Sequence, residues 1–98
     1  MSYGIALTFE DVSQEQYWAV NQALGINPDG TGNWPEGLVA HTGGTVEGGG
    51  LVVVERWSSK EAHEAFMSAR LGAALAQVGV PAPKSVTEFD VVNEHQLV

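Results

Sequence analysis

The stretch VEGGGLVVVERW, residues 46–57, decides the fold because it joins two strand-forming runs across three glycines. This pattern predicts a β-hairpin, with one strand over Leu38 to about Val46, a turn over Glu47 to Gly50 and a second strand over Leu51 to Trp57. The second strand is apolar at every position from Leu51 to Val54. Since successive side chains of a strand point to opposite faces, this strand needs an apolar cover on both faces.

Two alternating segments predict the other strands of the sheet. Residues of larger and smaller volume alternate from Tyr3 to Phe9, and a second alternation runs from Lys84 to Val92. Between the first strand and the hairpin, Ser13 and Gln16 have the spacing of a capping box and predict the start of a helix. Gly25 is suited to the left-handed residue that ends this helix. A first helix therefore connects the first strand to a long loop before the hairpin.

The second predicted helix follows the hairpin. Ser58 is the expected N-cap, Glu61 is three residues later at the box position, and Gly79 ends the helix. The apolar residues between these limits recur at helical spacing, which predicts one uninterrupted helix. The loop before the hairpin, residues 26–37, is rich in turn formers. The predicted element order is β-α-β-β-α-β in a single domain over residues 1–98.

This order favours the ferredoxin-like α+β fold, a four-stranded antiparallel sheet with two helices on one face. The first and third strands become central, in agreement with their apolar composition. Val52 and Val54 then point away from the helices. No further predicted helix or strand is available to cover these two side chains. We therefore expect a homodimer in which two sheets stack through their outer faces.

Composition excludes several classes of function. The 98 residues include twelve acidic and four basic ones, a formal net charge of -8, so binding to a nucleic acid or an anionic membrane is not expected. Apolar runs are too short to span a membrane, and the N-terminus does not have the pattern of a leader peptide. Cysteine is absent, which excludes disulfides and thiolate chemistry. We therefore expect a cytoplasmic protein.

The three histidines are the candidate acid–base residues. His41 lies within a predicted strand, where it can act as a base or hydrogen-bond a ligand, or else be satisfied near the dimer interface. His63 falls in the first turn of the second helix, either at a pocket mouth or as a solvated surface residue. His95 lies in a tail that can clasp the second subunit. No HxH or HxxxH spacing occurs, and no metal site is expected.

Four aromatic residues are candidates for binding a flat, apolar ligand. Tyr17 and Phe66 also fit the buried stripes of their helices, so a core role is the alternative for both. Trp18 and Trp34 do not fit such a stripe, which favours contact with a ligand or a partner. The loop that carries Trp34 is long for so small a domain, and long loops often form lids over sites.

Several of these segments carry a family resemblance along nearly the whole chain. They are GLVAHTGG (37–44), LVVVERWSSKEAHEAF (51–66), LGAALAQVGVPAP (71–83) and EFDVVN (88–93). In this order they resemble the dimeric α+β barrel superfamily, and within it the antibiotic-biosynthesis-monooxygenase-like group, particularly its small actinobacterial members. The resemblance implies a homodimer with a small-molecule pocket between helices and sheet in each subunit.

The resemblance implies an enzyme hypothesis and an alternative. Trp57 is similar to the tryptophan that cofactor-independent monooxygenases carry at the end of the third strand, although Val53 stands where their pattern has an asparagine. The hypothesis is oxidation of a phenol or quinol without a cofactor, or a related isomerase or cyclase reaction, with His41 as base or hydrogen-bond donor, Trp57 positioning the ligand and His63 assisting. Haem-degrading relatives have an asparagine on the first strand and a tryptophan and a haem-ligating histidine on the second helix. This chain lacks that pattern, so haem is not expected. The alternative is a non-catalytic ligand-binding or structural dimer.

Overall fold

The computed structural model describes residues 2–97, and it confirms the predicted ferredoxin-like fold. The elements are β1 (Tyr3–Phe9), α1 (Gln14–Leu24), β2 (Leu38–Thr45), β3 (Leu51–Trp57), α2 (Lys60–Phe66), a π-helical turn (Met67–Leu71), α3 (Gly72–Val78) and β4 (Ser85–Asp90). Together, α2, the π-helical turn and α3 form the predicted second helix. The predicted bounds of β1 and β3 agree with the observed ones.

The four strands form one antiparallel sheet in the order β2-β3-β1-β4, so the central position predicted for β1 and β3 is confirmed. In the register of the two central strands, Leu7 is opposite Val53 and Ala6 is opposite Val54. A bulge between Leu38 and Ala40 interrupts the pairing of β2 with β3. Because a bulge adds one residue on one strand, it decides which later side chains of β2 face the helices.

The core lies between the helices and one face of the sheet. Leu51 and Val53 are 3% and 7% exposed on that face, whereas Val54 is 42% exposed on the other. The outer face of β1 carries the small residues Gly4, Ala6 and Thr8, and the ring of Phe89 lies directly over Gly4. The expected two-sided character of β3 is therefore observed, and its outer face is left without a helix.

Helix α1 begins and ends as its sequence predicts. The Ser13 hydroxyl accepts a hydrogen bond from the Gln16 backbone N–H at 3.1 Å, and the Gln16 side chain accepts one from the Ser13 N–H at 2.9 Å. Gly25 adopts a left-handed conformation with φ of 81° and ends the helix. These caps satisfy backbone groups that the helix leaves unpaired at each terminus.

The start of the second helix differs from the prediction. Its N-cap is Ser59, whose hydroxyl accepts from the Ala62 N–H at 3.1 Å. The predicted cap, Ser58, instead donates its backbone N–H to Gly37 O at 2.8 Å. The prediction was wrong because either of two adjacent serines satisfies the local pattern, and this contact with Gly37 makes Ser58 part of the strand end. Glu61 is then two residues after the N-cap, whereas a capping box needs a residue three positions after it.

The predicted uninterrupted second helix contains a π-helical turn at Met67–Leu71. Such a turn inserts one residue into the helical repeat and occurs frequently at functional sites. It carries Arg70, whose guanidinium donates to Leu24 O at 2.8 Å and to Asn33 O at 2.7 Å. The turn thus connects the second helix to the loop that follows α1.

The last strand is shorter than predicted, Ser85–Asp90 instead of Lys84–Val92. The hydrogen bonding nevertheless continues at both ends, since Lys84 N–H donates to Thr8 O at 2.7 Å and Val91 N–H donates to Ser2 O at 3.1 Å. Every residue of β4 is exposed, as expected for an edge strand with no helix above it.

Candidate functional site

A cavity of about 60 Å³ lies between the helices and the sheet. Its walls are mostly apolar and come from β1, α1, β2, β3 and the second helix, and the loop at Trp34 and Pro35 covers one side. The polar side chains among the lining residues are Tyr17, Asn21, His41 and Glu55, together with the indole of Trp34. Because one buried water needs about 10–15 Å³, a cavity of about 60 Å³ has room for a few waters, and an aromatic ligand requires lining residues to move.

His41 is the centre of a hydrogen-bonded chain along one wall of this cavity. Its Nδ1 atom is 2.7 Å from Glu55 Oε2, and its Nε2 atom is 2.6 Å from the Tyr17 hydroxyl. A carboxylate only accepts hydrogen bonds, so in the neutral imidazole Nδ1 carries the proton and Nε2 accepts from Tyr17. The unprotonated ring nitrogen of His41 is therefore occupied by the Tyr17 hydroxyl.

Glu55 is 8% exposed and lies on the same face of β3 as Leu51, Val53 and Trp57. Its second carboxylate oxygen, Oε1, accepts a hydrogen bond from the Trp57 indole N–H at 3.1 Å. The sequence prediction did not include Glu55. The signal that could have found it is the two-residue period of β3, which places a charged side chain at a position facing the core.

Tyr17 reaches His41 because β2 has a glycine directly beneath it. A Cβ at Gly43 would lie 2.6 Å from the Tyr17 hydroxyl oxygen, well inside van der Waals contact. The phenol ring also stacks on the imidazole of His41, with an angle of 14° between their planes and 6.0 Å between centroids. The sequence predicts Tyr17 as a ligand contact, with a core role as the alternative. In the structure Tyr17 is half-buried and lines the cavity.

Trp34 closes the cavity above His41, with 5.5 Å between the two ring centroids. Its indole N–H donates to Gly30 O at 2.7 Å, so the ring moves together with its own loop. The loop is attached to the body of the protein through the Asn33 N–H, which donates to Gly25 O at 2.8 Å, and through Arg70. We call residues 26–35, held in this way, the Trp34 strap.

The other predicted site residues lie in different parts of the structure. Phe66 is buried and lines the cavity. Trp18 is 41% exposed and packs edge-on against Tyr17 without lining the cavity. Trp57 is fully buried and lies behind Glu55, outside the lining residues. His95 is exposed in the C-terminal tail. The predicted aromatic cluster is thus divided between cavity, core and surface.

His63 is 6% exposed, so its interpretation as a solvated surface residue was wrong. It packs between the rings of Tyr3 and Trp57, at centroid distances of 5.7 and 5.2 Å, and these contacts account for its burial. Its Nε2 atom is buried and has no hydrogen-bond partner among the described residues. His63 is not among the residues that line the His41 cavity.

Acidification is expected to destabilise the wild-type protein more than a His63→Asn variant. Burial lowers the pKa of His63, and the carboxylates of Glu55, Glu88 and Glu64 oppose this shift without cancelling it. The unfolded chain, with an ordinary histidine pKa near 6.5, then binds more protons than the folded one. This contribution to stability is full above about pH 6.5 and is lost as the pH falls through the lowered pKa of folded His63.

Urea unfolding at pH 7 and pH 5 measures this effect as the difference between the two free energies of unfolding. We expect that difference to be smaller in His63→Asn than in the wild type, because the asparagine side chain does not titrate. His95→Asn is the matched control and should behave as the wild type does, because His95 is exposed. Equal pH dependence in the wild type and His63→Asn would contradict the prediction.

The residues of the cavity do not fit a haem or a metal ion. Histidine on the second helix is outside the cavity lining, and both ring nitrogens of His41, the histidine in the lining, are engaged by Glu55 and Tyr17. Within residues 2–97, no group of three or more histidine, aspartate or glutamate side chains is arranged to hold a metal ion. Over the same range, none of the helices combines the length and apolar character needed to cross a bilayer.

Comparison with known proteins gives matches at the level of three-dimensional structure. Neither family models nor curated proteins match the sequence. A solved structure described as a candidate antibiotic biosynthesis monooxygenase from Chloroflexus aurantiacus J-10-fl is similar over 100% of both chains, with 16% identity and a TM-score of 0.68. A dimeric ferredoxin-like protein of unknown function from Thermobifida fusca is similar over 92% of this chain and 90% of its own, with 20% identity and a TM-score of 0.55.

A third similar structure is a variant of MhuD with two manganese protoporphyrin IX molecules bound per active site. The similarity covers 98% of this chain and 99% of that chain, with 22% identity and a TM-score of 0.62. At these identities the similarity establishes the fold that the chain shares with antibiotic-biosynthesis-monooxygenase-like structures. It confirms the fold that the sequence resemblance implied, and reactions do not follow from a fold alone.

Proposed function

We propose that this chain is a homodimeric, small-molecule-binding α+β barrel protein that oxidises an aromatic phenol or quinol without a cofactor. The observation that carries the proposal is the chain of Glu55, His41 and Tyr17, a hydrogen-bonded acid–base group at the edge of a mostly apolar cavity. Deprotonation of a phenol requires a general base within hydrogen-bonding reach, and the apolar walls reduce contact of the anion with bulk water. Dioxygen is the second substrate in this proposal.

In the proposed reaction, His41 is the base and Tyr17 mediates its contact with the ligand. The ligand hydroxyl donates to Tyr17 Oη while Tyr17 donates to His41 Nε2, and one proton is transferred along each of these two hydrogen bonds. Glu55 stabilises the imidazolium that forms, because its carboxylate accepts from Nδ1. His63, expected from the sequence to assist, has no part in this scheme because it lies outside the cavity lining.

The anion of the ligand is the electron donor in the next step. A phenol with a free ring position reacts with one dioxygen to give a quinone and one water, so both oxygen atoms are accounted for and no external reductant is needed. The apolar walls provided by Phe9, Val53 and Phe66 keep bulk water from the anion. Val53, in the position where the monooxygenase pattern has an asparagine, adds apolar surface and no hydrogen bond.

A second subunit is proposed to cover the outer face of the sheet. That face combines the exposed Val54 with the small residues Ala6 and Thr42 opposite it, which allow two sheets to approach closely. The similar Thermobifida fusca protein is described as dimeric. The compartment we propose is the cytoplasm, in keeping with a sequence that contains no cysteine.

The test compares His41→Ala with Trp34→Ala across a panel of phenols and quinols, by oxygen consumption and by native mass spectrometry of the complexes. We expect His41→Ala to lose at least about 100-fold in turnover while it still binds the ligand, because it removes the base. Trp34→Ala should weaken binding, since it removes a wall of the cavity.

Two results contradict the oxygenase proposal. One is turnover in His41→Ala equal to that of the wild type. The other is tight binding of an aromatic ligand by the wild type with no oxygen consumed for any compound, which favours the non-catalytic ligand-binding dimer. The apolar Val53 in place of the expected asparagine is the observation that supports this second candidate.

A further inference from the structure

Trp57 is fully buried and takes no part in the wall of the cavity. Its indole ring packs against Phe66, with 5.5 Å between ring centroids, and edge-on against His63. A ligand in the cavity therefore meets Phe66 and not Trp57. This differs from the role expected from the sequence, in which Trp57 positions the ligand directly.

The indole N–H of Trp57 donates to Glu55 Oε1 at 3.1 Å, while Glu55 Oε2 is 2.7 Å from His41 Nδ1. Each carboxylate oxygen thus has one donor, and the two donors lie on different strands. Two contacts of this kind fix the rotation of the carboxylate about its own axis, because turning it would break both. The carboxylate orientation in turn fixes the imidazole ring, as a hydrogen-bonding partner does for a catalytic histidine.

We infer that Trp57 is a positioning residue for the proton acceptor His41 and acts through Glu55. The tryptophan N–H orients the carboxylate, the carboxylate holds the proton on His41 Nδ1, and Nε2 is thereby kept as the acceptor on the Tyr17 side. Only the effect of Trp57 on turnover rests on the proposed function. The effect on the imidazole does not depend on any substrate.

The test compares Trp57→Phe with Trp34→Phe by nitrogen-15 NMR of the histidine side chains. Both changes keep an aromatic ring and remove an indole N–H. Only the Trp57 indole donates to Glu55, whereas the Trp34 indole donates to Gly30 O. In Trp57→Phe we expect the His41 Nδ1 and Nε2 signals to shift towards a mixture of tautomers and the Nδ1 proton to exchange faster with water. Trp34→Phe should leave the tautomer of His41 unchanged.

A second measurement covers the case in which Trp57→Phe does not fold. In a Glu55→Gln variant, the indole N–H signal of Trp57 should move upfield because its acceptor loses a negative charge, while the indole signals of Trp18 and Trp34 stay in place. The inference is overturned if the His41 signals of folded Trp57→Phe equal those of the wild type, or if the Trp57 indole signal does not respond to Glu55→Gln.

Kinetics link the inference to the proposed reaction. With a substrate, Trp57→Phe should lower kcat by about 10-fold and leave KM within about 2-fold, as expected for a residue that orients the base without touching the ligand. A loss of about 10-fold in kcat/KM that comes entirely from a higher KM, with kcat unchanged, would contradict a positioning role. If no substrate is turned over by the wild type, the oxygenase proposal fails while the NMR result still decides the inference.

Discussion

Replacing Val54 with lysine is expected to convert the proposed homodimer into monomers. Val54 is 42% exposed at the centre of the outer sheet face, between Ala6 of β1 and Thr42 of β2. In a two-fold interface the substitution occurs twice, and each buried ammonium loses its hydration without gaining a partner. We expect the dissociation constant to rise at least about 100-fold, equivalent to about 3 kcal/mol, as measured by sedimentation velocity over a concentration series.

Val86→Lys is the matched control for this experiment. Val86 is more exposed than Val54, at 52%, but it lies opposite Leu7 and therefore on the helix side of the sheet. Its replacement should leave the dimer intact. A dimer that survives Val54→Lys, or a wild-type protein that sediments as a monomer at micromolar concentration, would contradict the stacked-sheet arrangement.

Replacing Gly43 with alanine is expected to separate Tyr17 from His41. The added methyl group would lie 2.6 Å from the Tyr17 hydroxyl oxygen, so the phenol must move away and its 2.6 Å contact with His41 Nε2 is lost. Overpacking of this kind typically costs about 1–3 kcal/mol. Urea unfolding measures the loss in stability, and the nitrogen-15 signal of His41 Nε2 reports whether the hydrogen bond is broken.

The neighbouring Gly44→Ala variant separates this effect from a general intolerance of β2 to side chains. A Cβ at Gly44 is 3.9 Å from Val52 Cγ1, an ordinary contact, and it points to the opposite face of the sheet. We expect a change in stability below about 0.5 kcal/mol and an unchanged His41 signal. Equal effects of the two substitutions would argue that Gly43 has no special relation to Tyr17.

Much of the architecture could be predicted because it follows from short-range patterns. The bounds of β1 and β3, the capping box at Ser13 and Gln16, and the end of α1 at Gly25 each depend on a few neighbouring residues. The start of the second helix could not be fixed in this way, since the choice between two serines depends on a contact with the distant Gly37. Nor does the local sequence mark the π-helical turn that carries Arg70.

The candidate site was only partly predictable for the same reason. His41, Tyr17 and Trp34 stand out by residue type, but their arrangement depends on the bulge at Leu38/Ala40 and on the register of β2 with β3. Glu55 becomes part of the site through its hydrogen bonds with His41, fourteen residues earlier, and Trp57, two residues later. Patterns within one strand indicate which face a residue occupies, and they do not identify the residue across the ladder that it will meet.

The attachment of the Trp34 strap has a consequence for the kinetics of ligand binding. Arg70 holds the carbonyl groups of Leu24 and Asn33 at the same time, and Trp34 moves with the segment that these contacts anchor. The cavity of about 60 Å³ is too small for an aromatic compound, so we expect this segment to be displaced when one enters. At high ligand concentration the observed association rate should therefore reach a plateau set by the opening rate of the strap, and the collision frequency should no longer matter.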